Sequence, residues 1–72
     1  MATIFNGPRL REIRDERHIS RVKLGAQIDL DPTAIYAYEK NKANPSVGAL
    51  CRLVDALGVG MADLFTDDGN DR

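Results

Sequence analysis

Two pairs of cations near the middle of this 72-residue chain could do anion chemistry. Arg21 and Lys23 fall in the first turn of a helix that begins after Ser20. Positive side chains there oppose the partial positive charge of the helix N-terminus and cost about 0.3 to 1 kcal/mol each at most. A phosphate would relieve that mismatch, because free N–H groups and two cations make a seat for it. The competing reading is two solvated side chains bent away from the dipole. Lys40 and Lys42 form the second pair, with Asn41 between them offering backbone or amide donors. Bond-breaking chemistry has no comparable support. His18, the single histidine, has no carboxylate or cysteine at ligand spacing and suits a solvated helix C-terminus. The single cysteine, Cys51, recurs with Val47, Leu50, Val54 and Leu57 at helical spacing, which makes it a small core residue. No titratable pair has the spacing and identity of a nucleophile with its base, or of metal ligands. The expectation is a protein without catalytic residues, metal or cofactor.

The elements that must position the cations are two short helices meeting across Asp29-Leu30-Asp31. Ser20 is a natural N-cap, and Leu24 and Ile28 then fall four apart on one face, which predicts a helix over 21–28. The second helix starts from Asp31 as N-cap with Pro32 at the first helical position, where a missing N–H costs nothing. Ile35 and Tyr38 share its inner face, so Pro32, Thr33, Tyr36, Ala37 and Lys40 point outward. Gly25 lies on the first helix opposite the start of the second. Glycine inside a helix costs roughly 1 kcal/mol relative to alanine, and close approach of two backbones at a steep angle supplies a reason for it. A three-residue connection suits such a crossing better than a side-by-side hairpin.

These residues, in the order Ile19-Ser20, Leu24-Gly25, Ile28, Asp29-Leu30-Asp31, Ile35, Tyr38-Glu39, Lys40-Asn41-Lys42, Asn44-Pro45-Ser46 and Leu57-Gly58-Val59, carry a resemblance. The chain resembles the Cro and phage-repressor helix-turn-helix family, also called the XRE type, over about residues 9 to 65. It departs from the family pattern at three places, with Arg21 for the usual Gln, Lys23 for the usual capping-box Glu, and Asp29 for the turn glycine. Asp tolerates the left-handed backbone better than most residues, so the turn is expected to survive. The resemblance implies an all-α, compact five-helix repressor-like DNA-binding domain in which helices two and three form the helix-turn-helix. It also implies base reading by Pro32, Thr33, Tyr36 and Ala37 and an ion pair between Arg14 and Glu39. None of the four base-reading residues is Arg, Asn or Gln, so bidentate reading of guanine or adenine is absent from this helix. Contacts with thymine methyl groups, supplemented by DNA shape, are expected instead.

At this length one domain with one core is all the chain can form. Such a domain buries roughly 60% of its unfolded surface and has stability on the order of 4 to 10 kcal/mol. Helices are expected at about 7–18, 21–28, 32–40, 46–57 and 61–65, giving a domain over 1–65. Ile4 and Phe5 are expected to form an apolar strap before the first helix, and 66–72 an acidic tail expected to lack order. The net charge of −1 hides a split. Residues 1 to 52 hold nine Lys/Arg and six Asp/Glu, whereas residues 53 to 72 hold one Arg and five Asp. The basic part contains the helix-turn-helix, so the near-neutral total limits non-specific affinity for a polyanion without excluding it. No apolar run approaches the roughly 18 residues of a membrane span, and the first residues lack the profile of a secretory signal, so a cytoplasmic location is the default expectation. The leading expectation is a sequence-specific regulator, a repressor, that binds double-stranded DNA as a homodimer. Residues 57 to 65, with Val59 and Met61, are the first candidate for the dimer surface. The alternative from another class is a protein-interaction adaptor, such as the antitoxin component of a toxin-antitoxin pair, using Tyr36 and the acidic tail.

Overall fold

Every α-helix among the described residues begins at a side chain that accepts a hydrogen bond from its first turn. In the computed structural model, which describes residues 3–67, these caps are Asn6, Ser20, Asp31 and Ser46. They start α1 (Gly7–Glu16), α2 (Arg21–Ile28), α3 (Pro32–Glu39) and α4 (Val47–Leu57). Replacing such a cap typically costs about 1 kcal/mol, so four of them define the helix borders strongly. The breaks between helices use residues that tolerate positive φ: His18 (56°), Asp29 (59°), Asn41 (57°) and Gly58 (69°).

The helices pack around Leu10, Ile13, Leu24, Ile35, Leu53 and Leu64, all fully buried. Two glycines permit the tightest contacts. A Cβ on Gly25 would collide with the carbonyl oxygen of Leu30 and meet Ile35 Cδ1 at 3.5 Å, so α2 and the start of α3 approach closely only because this side chain is missing. A Cβ on Gly7 would lie 2.7 Å from the Glu39 carbonyl oxygen, which brings the start of α1 against the end of α3.

Several expectations need correction. The fifth helix is a single 3-10 turn, Met61–Leu64, so the described residues hold four α-helices rather than five. Phe65 leaves that turn in an extended conformation and opens β2 (Phe65–Asp67), which pairs antiparallel with β1 (Thr3–Phe5), Phe5 opposite Phe65. The fold is therefore helical with a small two-stranded sheet, and Thr66 and Asp67 belong to a strand. The remainder of the expected acidic tail, 68–72, lies outside the described residues. The strap consists of Phe5 alone, buried edge-on against Tyr38 and Phe65, while Ile4 on the opposite side of the strand is exposed. Three residues are too few for a period-two pattern to stand out. Three helix ends also shift: α1 stops before Arg17 and His18, α3 before Lys40, and α4 begins after its cap Ser46.

Cys51 is exposed rather than core. The buried face of α4 is Ala49, Leu50, Leu53 and Leu57, and Val47 is 75% exposed. Apolar residues lie on most sides of α4, so helical spacing alone allows more than one stripe. Packing against α2 and the 3-10 turn selects the one centred on Leu53.

Candidate nucleic-acid interface

The turn between α2 and α3 is closed by the backbone. Leu30 N–H donates to the Gly25 carbonyl at 2.9 Å while Asp29 takes the left-handed conformation. Asp31 then accepts from the Thr33 N–H at 2.8 Å. That bond, and after it one from the Thr33 hydroxyl, holds the Asp31 carboxyl below the usual carboxylate range. Pro32 follows with its φ already helical. From this start α3 turns Ile35, Tyr38 and Glu39 inward. Thr33 and Tyr36 are exposed and Pro32 and Ala37 half-buried, so these four form one outer strip.

Glu39 anchors the strip from behind. The residue is 3% exposed, and its carboxylate accepts from Arg14 Nε at 2.7 Å and from Arg21 Nε at 2.9 Å. Arg14 Nη2 adds a longer contact at 3.4 Å, and Arg14 Nη1 donates to the Ile19 carbonyl at 2.8 Å. One buried carboxylate thus joins three segments: α1 through Arg14, α2 through Arg21, and α3 itself. Asp15 Oδ1 lies 3.5 Å from Arg14 Nη1, so the two guanidiniums are matched by two carboxylates, one buried and one exposed.

The cations named from the sequence are used unequally. Arg21 is not simply a solvated partner of Lys23. Its Nε is taken by Glu39, and its guanidinium lies 5.0 Å from the centroid of the Tyr36 ring. Among the described residues its terminal nitrogens make no hydrogen bond within the chain. Lys40 Nζ lies 5.6 Å from the same ring centroid, so Tyr36 is held by two cations. Lys23 is exposed, and its backbone N–H donates to the Ser20 hydroxyl. Lys42 is exposed just beyond α3, with its N–H on the Ala37 carbonyl. Neither Lys23 nor Lys42 has an ion-pair partner among the described residues. Asn41 has a structural duty, because its Oδ1 accepts from the Gly7 N–H at 3.0 Å and ties the end of α3 to the start of α1. Only its amide NH2 is left for a ligand.

One residue at this surface escaped the sequence reasoning. Val22 is 68% exposed and lines a shallow cleft with Arg21, Pro32, Thr33 and Tyr36. The signal was present in the spacing: with Leu24 and Ile28 inward, Val22 must point out, and Gly25 brings that part of α2 close to the start of α3.

A family model described as Helix-turn-helix matches residues 10–64. The chain belongs to the helix-turn-helix family. Its type is that of the Cro and phage repressors, the XRE type. This helix-turn-helix chain is 36% identical over 62 residues to the control protein C.MunI of Mycoplasma sp, covering 85% of this chain and 84% of that protein. Among solved structures it is similar to the restriction-modification controller protein C.AhdI from Aeromonas hydrophila. That likeness has a TM-score of 0.77 and 30% identity and covers 82% of this chain and 89% of the other. It is also similar to the P22 c2 repressor in complex with a synthetic operator, with a TM-score of 0.78 and 28% identity over 81% and 88% of the two chains. No helix among the described residues of this helix-turn-helix protein is long and apolar enough to cross a membrane.

Proposed function

We propose that the protein is a sequence-specific transcriptional regulator, a repressor, that binds double-stranded DNA as a homodimer with α3 in the major groove. The observation that carries this reading is the outer strip of Pro32, Thr33, Tyr36 and Ala37, with the exposed cations Lys23 before it and Lys40 and Lys42 after it along the chain. The major groove admits one helix, entered by its N-terminal residues, and the phosphates on either rim require positive charge. Lys23 on one side and Lys40, Lys42 and the Asn41 amide on the other meet that requirement. Arg21 adds its free terminal nitrogens, and the Arg14–Glu39–Arg21 cluster keeps the strip from tilting when it is loaded.

A single domain of this kind reads one half-site, and two half-sites one helical turn apart supply useful affinity. We assign the dimer surface to the region of residues 57 to 65, where Met61 is exposed and Val59 is half-buried against the core. The relatives named above are a control protein, a controller protein and a repressor, which favours the regulator over the adaptor reading. They make the genes of a restriction-modification system the first targets to test.

The deciding experiment is selection from a random duplex library at two salt concentrations, with the mass of the bound complex measured. The expected result is a two-fold-symmetric consensus, strong salt dependence and two protein chains per site. Folded protein that ignores every duplex in dilute buffer would overturn the reading.

A further inference from the structure

The apolar cleft between the start of α2 and the start of α3 has no task in the fold. Val22 is 68% exposed and contributes nothing to the core, yet it lines this cleft together with Arg21, Pro32, Thr33 and Tyr36. Its walls are stiff. A β-branched side chain in a helix has essentially one rotamer, proline is fixed by its ring, and the Tyr36 ring has two cations, Arg21 and Lys40, within 5.6 Å of its centroid. A stiff cleft loses little freedom when it is filled. It is continuous with the outer strip of α3 and bordered by cations, which suits an apolar group carried on a polyanion. Of the groups that base edges present in the major groove, only one is apolar, the methyl group on pyrimidine C5.

We propose that Val22, with Pro32, Thr33 and Tyr36, forms a receptor for the 5-methyl group of a pyrimidine, so that α2 as well as α3 determines sequence specificity. The inference rests on the DNA-binding reading above and deepens it. Thymine and 5-methylcytosine carry the same group, and the two sources differ in the atom attached to C4. Burial of one methyl group corresponds to about a fourfold change in affinity.

The test uses the selected operator with each thymine replaced in turn by uracil, which removes the methyl and leaves the pairing edge intact. At one position per half-site, uracil should weaken binding about fourfold for the native protein. For the V22A variant thymine and uracil should bind alike at that position, with the thermal melt of the variant confirming its fold. Cytosine at the same position, with and without its 5-methyl group, separates the two sources. A gain on methylation means the cleft accepts either pyrimidine; no gain, with thymine discrimination intact, assigns it to thymine. If the protein binds its operator but no uracil replacement matters, or if V22A keeps the full discrimination, the inference is wrong while the regulator reading stands. If no duplex is bound at all, both fall.

Discussion

A carboxylate sealed from water must be matched in charge, and Glu39 is matched twice. Removing one partner of a buried ion pair costs about 3 to 5 kcal/mol because the other charge is left stranded. Glu39→Gln leaves Arg14, whose side chain is 8% exposed, with only the exposed Asp15 as a charge partner, and releases Arg21. A loss of about 3 to 5 kcal/mol is therefore expected in urea denaturation at neutral pH, a large share of the stability of a domain this small. Arg21 behaves differently. Its side chain is 31% exposed, so solvent screens its bond to Glu39, and Arg21→Ala should cost only about 1 kcal/mol or less. If Arg21 donates to a phosphate as proposed, the same substitution removes that contact along with one cation at the Tyr36 ring, so operator affinity should fall clearly while the melt barely moves. Equal losses in stability and binding would mean that Arg21 acts only through the fold.

At the scale of elements, the crossing of α2 and α3 depends on a missing side chain and a capping carboxylate. Gly25→Ala places a Cβ against the Leu30 carbonyl, which is backbone and can yield only if the turn opens. Overpacking of this kind costs about 1 to 3 kcal/mol, and because the turn sets the angle of α3, operator binding should drop with it. Denaturation and titration of the same variant check both parts. Asp31 gives a pH signature. Its folded pKa is depressed, so its contribution to stability is complete above the ordinary value of 3.8 and is lost as pH falls through the lowered one. Asp31→Asn should lower the urea midpoint at neutral pH and flatten its fall in acid; an unchanged acid slope would show that the Thr33 contacts do not distinguish the charged form. Caps, Gly25 and the inward positions of α3 were legible because local chemistry determines them. The face of α4 was not, since Val47, Leu50, Cys51 and Val54 satisfy helical spacing as well as the buried set does, and only the neighbours of α4 separate them. The β1–β2 pair was also hidden, because three-residue strands at opposite ends of the chain make sense only once they meet. Arg21 was read as a phosphate ligand from its place in the first turn. Its link to Glu39 joins residues 18 apart, a distance no local pattern spans.

Across the whole molecule charge is arranged rather than abundant. The net charge of −1 would give little pull toward DNA if it were spread evenly, but the positive excess lies in the first 52 residues and the negative excess beyond them. Affinity should therefore come from a small number of phosphate contacts at one face, each releasing a counterion and adding about one unit to the slope of log affinity against log salt. Lys42 is the cleanest place to count one. It is exposed, it has no ion-pair partner among the described residues, and it lies outside the strip proposed to face the bases. Lys42→Ala should weaken specific and non-specific duplexes by the same factor and flatten the salt slope by about one unit, leaving sequence preference intact. Titrations of operator and unrelated duplex at four or five salt concentrations measure all three quantities. An unaltered slope would remove Lys42 from the interface, and a changed preference would place it among the bases. If the slope falls by two for a dimer bound at two half-sites, one per protomer, the same experiment also counts the chains on the DNA.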